Sequence, residues 1–309
     1  MSAVQRIPVT DRASWLAMRR QDVTASDVAA VCGVDRYRSP LKVWAEKTGA
    51  IPPQEDDANM RRGRWLEAAV IEATREERPS WDVRRAGVYL RDPTIRLGAT
   101  PDAVAVDPAR EGVGAVQCKT VRGDLFEQDW GRTDDGMAVA PLGYQLQTLT
   151  EAMLIGASWA TIVVLVIGAR GGAEFYEAPI VRHDAAEARI RRAVARFWAE
   201  IDAGRQPPVT YDQDADVVAA LHPSDVGTEV DLSTDNRLPV ILHERAELAA
   251  QVRSLQGRVS EIETEIKAKI GPHERAHVPG WRISWASQAR AGHYVPPSTS
   301  RVLRISKRK

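Results

Sequence analysis

Residues 97–120, LGATPDAVAVDPAREGVGAVQCKT, have the pattern of two β-strands joined by a glycine-containing turn. The first strand follows a Pro-Asp pair that ends at Asp102, and the second closes on Gln117, Cys118 and Lys119. Because successive residues of a strand face opposite sides, Gln117 and Lys119 share one face and Cys118 points away from it. An acid, an amide and a lysine are therefore expected to meet at one end of this hairpin.

That set of side chains suits a divalent metal ion beside a phosphate. Hard cations such as Mg²⁺ prefer oxygen ligands, and a neighbouring lysine can stabilise negative charge that develops on a phosphate group. The hairpin therefore indicates a metal-assisted reaction on a phosphate ester.

Composition limits the classes of protein to which the chain can belong. A chain of 309 residues can bury one large core or two modest ones. Its 42 Lys and Arg residues balance 42 Asp and Glu residues. A non-specific nucleic-acid coat is normally basic, so DNA contacts must depend on local patches. Cys32 and Cys118 lie apart without a CxxC or His pairing, which argues against a zinc or iron–sulfur site.

The expected location is the cytoplasm of a bacterial or phage-infected cell. Two separated cysteines suit a reducing compartment. The first residues lack the apolar segment of a signal peptide, and the most apolar stretch, residues 160–167, is too short to span a bilayer. We therefore expect a soluble protein without membrane contact.

The Pro-Asp…Gln-x-Lys pattern resembles the signature of the PD-(D/E)XK nuclease superfamily. Further segments, in matching order and spacing, resemble its YqaJ-like viral recombinase and lambda exonuclease family. The resemblance spans most of the chain and is strongest over residues 15–170. It implies an α/β fold with a PD-(D/E)XK restriction-endonuclease-like core, in which helices flank a central mixed sheet. A long C-terminal helix and a small β extension would follow.

Residues 11–31 predict two short helices, with Thr24, Ser26 and Asp27 available as caps for the second. Helix capping alone would explain these residues. The resemblance implies instead that Arg19 and Ser26 bind the 5′-phosphate of a DNA end, and Arg20 is an adjacent alternative for the arginine. A helix N-terminus with a hydroxyl and an arginine is a suitable phosphate site.

Residues 60–75 predict an amphipathic helix on which Glu67 shares a side with Val70 and Ile71. A carboxylate among apolar positions is unusual unless it is paired or bound to metal. A neighbouring arginine would be a sufficient partner, whereas the resemblance implies a metal ligand. Three arginines on this helix could contact DNA phosphates or form a solvated face: Arg61, Arg62 and Arg64.

Pro141 begins another predicted helix, on which Tyr144 and Gln147 lie three residues apart and share a face. The resemblance implies that Gln147 lines the active site and makes Tyr144 a candidate DNA contact. The implied catalytic residues are Glu67, Asp102, Gln117, Lys119 and Gln147.

The implied cofactor is Mg²⁺, with Mn²⁺ able to substitute. Its ligands would be Glu67, Asp102, the amide oxygen of Gln117 and the backbone carbonyl of Cys118. Gln117 departs from the family pattern, which usually has a carboxylate at this position. The amide removes one negative charge, so a second metal ion should bind more weakly.

Three domains are predicted along the chain. Residues 1–208 form the nuclease domain, residues 209–241 an acidic tether, and residues 242–309 a heptad helix with a basic strand extension. The helix could pack on its own chain, on another subunit or on a partner, and its apolar seam is Leu248, Val252, Leu255, Val259, Ile262 and Ile266. The basic residues of the tail are Arg301, Arg304, Lys307, Arg308 and Lys309.

The predicted function is an Mg²⁺-dependent exonuclease that degrades linear duplex DNA in phage or prophage recombination. The resemblance implies 5′→3′ polarity, a trimeric ring, and a single-strand annealing protein as partner. Two alternatives remain: an endonuclease of the same superfamily, and a catalytically inactive DNA-binding protein in which Gln117 replaces the usual acid.

Overall fold

The computed structural model describes residues 4–52, 56–168, 170–289, 292 and 302–305. It divides into two compact units, Met1–His222 and Pro223–Lys309. Residues 209–222 belong to the first unit, where Val217 packs against Leu41 in a small apolar cluster. The domain boundaries at residues 208 and 241 stay a prediction.

The strands and helices of the first unit alternate along the chain. They are β1 Gln5–Pro8, α1 Arg12–Gln21, β2 Val23–Thr24, α2 Val28–Val31, α3 Pro40–Thr48, α4 Ala58–Glu77, β3 Asp82–Arg85, β4 Val88–Asp92, β5 Leu97–Ala99, β6 Ala103–Val106, β7 Val113–Arg122, α5 Gly123–Asp129, β8 Gly131–Arg132, β9 Ala138–Val139, α6 Leu142–Ile155, β10 Trp159–Ile167, β11 Ala173–Ile180, α7 Asp184–Asp202 and α8 Ala215–Leu221. A short 3₁₀ helix, Ala25–Asp27, lies between β2 and α2.

The central sheet has five strands in the order β11-β10-β7-β6-β3. Strand β10 runs parallel to β7, and the other neighbours are antiparallel. On one face, Val116 and Cys118 pack with Val70 and Ile71 of α4. On the other face, Ala115 packs with Ala152 of α6. The predicted α/β fold with a mixed sheet between helices is therefore confirmed.

A second sheet, in the order β1-β4-β5-β2, packs on helices α6 and α7. Its buried Leu90 and Leu97 join Leu149 of α6 and Trp198 of α7 in the largest apolar cluster. Strand β2 pairs in parallel with β5. It connects α1 directly to the short 3₁₀ helix. This sheet thereby positions the N-terminal helices beside α6.

The strand predicted after the Pro-Asp pair is β6; β5 lies in the other sheet, and Asp102 lies at the crossing between them. One local prediction is wrong. The polar composition of residues 120–136 predicts a loop, but β7 continues to Arg122 and α5 follows. Pairing of residues 120–122 with the apolar strand β10 extends the ladder despite their polar surroundings in the sequence.

The second unit contains one long helix, α9 Leu238–Ile270, and a hairpin of β12 Arg275–Val278 with β13 Trp281–Ser284. The predicted heptad helix is present, and the hairpin begins earlier than the sequence indicated. Of the basic tail, Arg304 is exposed, whereas Arg301 and residues 307–309 lie outside the described residues. Among the helices of the described residues, none is both long and apolar enough to cross a membrane.

Candidate metal centre and phosphate pocket

The candidate metal centre lies at an edge of the central sheet where β6 has not yet begun. Strand β6 starts at Ala103, opposite Val116, so β7 has no β6 partner from Gln117 onward. The Asp102 carboxylate occupies this edge, where its Oδ2 accepts hydrogen bonds from the Cys118 backbone N–H at 2.8 Å and from the Gln117 amide. Because the N–H and C=O of one strand residue share an edge, the Cys118 carbonyl faces this side too.

Burial governs the electrostatics of Asp102. Removal from water raises the pKa of its carboxyl to about 6, and the neighbouring Glu67 acts in the same direction. Lys119 opposes this shift but does not cancel it. The Asp102 carboxyl is therefore harder to ionise than a carboxyl in water.

Glu67 has two neighbours that bear on its role. Its Oε1 pairs with the Arg85 guanidinium of β3 at 2.9 Å, and its side chain is 20% exposed. It also lies close enough to Asp102 to raise the pKa of that carboxyl. The arginine partner and the place beside Asp102 are thus both present, and no pattern in the sequence had identified Arg85.

A chain of side-chain hydrogen bonds connects β7 to α6. Lys119 Nζ donates to Gln147 Oε1 at 3.1 Å, and Gln147 Nε2 donates to Gln117 Oε1 at 3.2 Å. The Lys119 ammonium also lies 4.8 Å from the centre of the Tyr144 ring. Gln117 and Lys119 share a face of the strand, as predicted, and Gln147 and Tyr144 meet them from the facing helix.

Glu151 is a further acid at this site, and it was not among the residues predicted from the sequence. Its Oε1 accepts from Gln147 Nε2 at 3.0 Å, and its side chain is almost fully buried. Burial raises the pKa of Glu151 to about 8, and nearby Asp102 contributes in the same direction. The available signal was its place four residues after Gln147, on the same helix face.

These residues suit a hard divalent cation. Two carboxylates, an amide oxygen and a backbone carbonyl are ligands of the type that Mg²⁺ accepts. A bound cation would also compensate the burial that raises the pKa of Asp102. Within the described ranges, no group of three or more His, Cys, Asp or Glu residues could hold a metal ion, so the candidate ligands there include the amide and the carbonyl.

A second pocket is formed by α1 and the 3₁₀ helix. Arg19 Nη2 donates to Ser26 Oγ at 3.0 Å, and Ser26 Oγ lies 2.9 Å from Thr24 Oγ1. The Arg19 guanidinium covers the Trp15 ring at 4.7 Å. Arg20 is exposed on the same helix. The structure therefore brings Arg19 and Ser26 together, as the predicted phosphate site requires.

Asp27 stabilises this pocket through buried hydrogen bonds and ion pairs. Its buried carboxylate accepts from the Thr24 backbone N–H at 2.9 Å and pairs with Lys47 at 2.8 Å and with Arg38. Burial alone would raise the pKa of Asp27, but Lys47, Arg38 and Arg19 together hold it well below its usual range. Lys47 also donates to the Arg19 carbonyl at 2.7 Å, which fixes the end of α1.

The arginines of α4 form a third group. Arg64 pairs with Asp56 at 2.7 Å, and Arg61 donates to the Asp56 carbonyl at 3.1 Å. Arg62 is partly buried, and Arg61 and Arg64 are exposed. Their contact with DNA stays a prediction.

Comparison with known proteins places these sites in a family. Residues 14–158 match the model of the YqaJ-like viral recombinase domain. Over these residues the chain is similar to a YqaJ-like viral recombinase domain. The predicted resemblance to this family and the predicted class of enzyme, a DNA nuclease, are thereby confirmed. Every candidate residue of both pockets falls inside this YqaJ-like domain.

Individual relatives extend the similarity beyond the domain. The protein YqaJ of Bacillus subtilis (strain 168) is 24% identical over 281 residues, which cover 89% of this chain and 83% of that protein. An alkaline exonuclease from Laribacter hongkongensis is 26% identical, with a TM-score of 0.47 over 62% of this chain and 94% of that structure. A phage-related exonuclease from Haemophilus somnus 129PT is 11% identical, with a TM-score of 0.41 over 59% and 96%.

Proposed function

We propose that this protein is an Mg²⁺-dependent exonuclease that degrades one strand of linear duplex DNA from a 5′-phosphorylated end. The observation that carries the proposal is that one helix, α6, contacts both the candidate metal centre and the candidate phosphate site. Helix α6 contacts both the 3₁₀ helix, which carries Ser26, and β7, which carries Gln117 and Lys119. Glu151 of α6 lies within electrostatic range of both Arg19 and Asp102.

At the sheet edge, Asp102, Glu67, the Gln117 amide and the Cys118 carbonyl would hold the cation. When bound, a divalent cation lowers the pKa of coordinated water and neutralises phosphate oxygens. Lys119 would donate to a phosphate oxygen as negative charge develops there. Gln147 fixes the position of Lys119, because its Oε1 accepts a hydrogen bond from that ammonium at 3.1 Å.

At the second pocket, Arg19 and Ser26 would bind the terminal 5′-phosphate. A guanidinium and a hydroxyl can both donate to phosphate oxygens, and charge-assisted bonds of this kind are strong. With the end held there, the first phosphodiester bonds would lie at the metal centre. This arrangement favours an exonuclease over an endonuclease, because it recognises an end and not an internal phosphate.

The family resemblance supports the remaining parts of the proposal. It implies 5′→3′ degradation, a trimeric ring around DNA, and transfer of the exposed strand to a single-strand annealing protein in phage-type recombination. Mn²⁺ is expected to replace Mg²⁺ because the ligands are oxygen atoms.

The decisive experiment is digestion of DNA of three kinds by the purified full chain. Linear duplexes with 5′-phosphate ends, linear duplexes with 5′-hydroxyl ends and closed circles are each incubated with and without Mg²⁺. We expect Mg²⁺-dependent loss of the linear DNA, faster from 5′-phosphate ends, with the circles intact. Cutting of the circles would establish the endonuclease alternative, and binding without any cleavage would establish the inactive one.

A further inference from the structure

Helix α9 presents an exposed apolar seam. The 33 residues of Leu238–Ile270 extend about 50 Å at 1.5 Å per residue. Five large apolar residues of the seam are between 45% and 68% exposed: Leu248, Val252, Leu255, Val259 and Ile262. A continuous exposed stripe of this kind normally marks an interaction surface.

The order of residues along the seam indicates the number of helices that it fits. In heptad notation, the a positions are Val252, Val259 and Ile266, and the d positions are Leu248, Leu255 and Ile262. β-Branched residues at a with leucine at d favour a parallel pair of helices over larger bundles. Two consecutive pairs of d and a positions follow this rule: Leu248 with Val252, and Leu255 with Val259.

The charges beside the seam indicate which helix the partner is. In a parallel pair, each g residue faces the e residue five positions later on the other helix. Arg258 is a g residue and Glu263 the corresponding e residue, so two copies of this helix would form two opposite-charge pairs. The preceding g and e residues, Gln251 and Gln256, are both neutral amides. The helix is therefore complementary to itself.

The present partners of these charges do not prevent such pairing. Arg258 pairs with Glu261 at 2.8 Å and Glu263 with Lys267 at 3.6 Å, within one helix. All four side chains are exposed, and exposed pairs of this type contribute only about 0–1 kcal/mol. Arg258 and Glu263 can therefore turn towards a second helix at little cost.

We propose that α9 is a dimerisation helix that pairs in parallel with α9 of a second copy of this chain. The pairing would cover the seam, and each Arg258 would contact Glu263 of the other copy. The proposal is independent of the nuclease reaction, because it concerns only residues of the second unit. In a trimeric ring, whose three copies cannot all pair with one another, each α9 would pair with α9 of a second ring, so that loss of the pairing still halves the mass.

The first experiment compares Leu255→Glu with Ser254→Glu in the full-length protein. Leu255 is a central d residue, and Ser254 lies next to it at position c, away from the seam. Multi-angle light scattering should give a twofold lower mass for Leu255→Glu and the wild-type mass for Ser254→Glu, at equal helix content by circular dichroism. A wild-type mass for both variants would overturn the proposal, since another part of the chain or a different partner would then cover the seam.

The second experiment tests the parallel orientation and does not depend on a core substitution. Arg258→Glu alone and Glu263→Arg alone each place like charges opposite one another, so each should self-associate at least about tenfold more weakly. An equimolar mixture restores two opposite-charge pairs and should associate as tightly as the wild type, measured by energy transfer between differently labelled copies. A mixture no tighter than either variant alone would rule out the parallel pair.

Discussion

Two aspartates of the first unit, the buried Asp27 and the partly buried Asp102, show pKa shifts in opposite directions. Burial acts to raise the pKa of each carboxyl. Around Asp27, three cations outweigh burial and hold its pKa well below the usual range. Around Asp102, Lys119 stands against burial and against a second acid, Glu67, and the pKa rises.

The difference distinguishes a structural cluster from the candidate metal site. The cations that lower the pKa of Asp27 belong to the protein itself, so we assign Asp27 the role of holding the end of α1 and the 3₁₀ helix in place. Near Asp102, Lys119 and Arg85 do not offset the effect of burial, and acids with raised pKa values are typical of functional sites. We therefore expect the sheet edge near Asp102 to bind a cation and the site around Arg19 to bind an anion.

The largest expected effect is the loss of cleavage on changing Asp102→Asn. Asparagine keeps the shape and the hydrogen bond from the Cys118 N–H but removes the charge that would hold the metal. We expect Mg²⁺-dependent cleavage to fall by about 10³-fold or more, and Lys119→Ala to have a similar effect. Lys269→Ala, at an exposed position of α9, is the matched control and should keep wild-type activity.

Asp102→Asn should also leave the metal-free protein at least as stable as the wild type at pH 8, since it removes a carboxylate whose pKa is raised to about 6 in the folded protein. A clear loss of stability would show that this carboxylate is structural, like Asp27.

Asp27→Asn is expected to have the opposite consequence. It would leave Arg38 and Lys47 without their buried partner, and breaking a buried ion pair in this way costs about 3–5 kcal/mol. The free energy of unfolding, measured by urea titration, should fall by that amount. If Asp27→Asn proved no more destabilising than Asp102→Asn, the distinction between the two clusters would be lost.

Whether a contact could be predicted from the sequence depended on how far apart its two residues lie along the chain. The shared face of Gln117 and Lys119 follows from strand geometry, and the approach of Gln147 was implied by helix spacing and family pattern. Lys47 and Arg85 were not identified, because each meets its acid only after distant segments pack. Glu151 was overlooked, although its place four residues after Gln147 on the same helix face was a usable signal.

Arg19→Ala is expected to act on the choice of DNA end more than on the chemistry. Loss of a charge-assisted contact should slow digestion of 5′-phosphorylated ends by about 10–100-fold, with a much smaller effect on 5′-hydroxyl ends. The neighbouring Arg20→Ala serves as control and should alter neither rate. Equal slowing on both kinds of end would remove the phosphate-pocket assignment.

Gln117→Glu should bring the sheet edge closer to the usual family pattern. The added carboxylate increases the negative charge at the candidate metal site, so Mg²⁺ should bind about tenfold more tightly by calorimetry. Without metal, the variant should be less stable than the wild type because another acid joins Glu67, Asp102 and Glu151. Unchanged affinity would mean that residue 117 does not face the cation. Cleavage by this variant alone would instead identify the wild type as the inactive alternative.

The smallest expected effect concerns Glu151 and the pH dependence of stability. The pKa of this carboxyl rises from its ordinary value of 4.5 to about 8, so between these values the folded protein binds more protons than the unfolded chain. Stability should therefore fall as the pH rises through this window. A tenfold change in a proton-binding constant corresponds to about 1.4 kcal/mol. Because the charge of Asp102 influences the titration of Glu151, we expect a net loss of roughly 1–2 kcal/mol across the window.

Glu151→Gln removes this titration but keeps an oxygen that can accept from Gln147. The decrease in melting temperature of the metal-free protein between pH 5 and pH 8 should be several degrees smaller than in the wild type. Cleavage should change by less than about tenfold, because the hydrogen bond to Gln147 is retained. If the melting temperature of the variant kept the full pH dependence, Glu151 would be ionised at every pH tested. The acids that affect stability at the sheet edge would then be Asp102 and Glu67 alone.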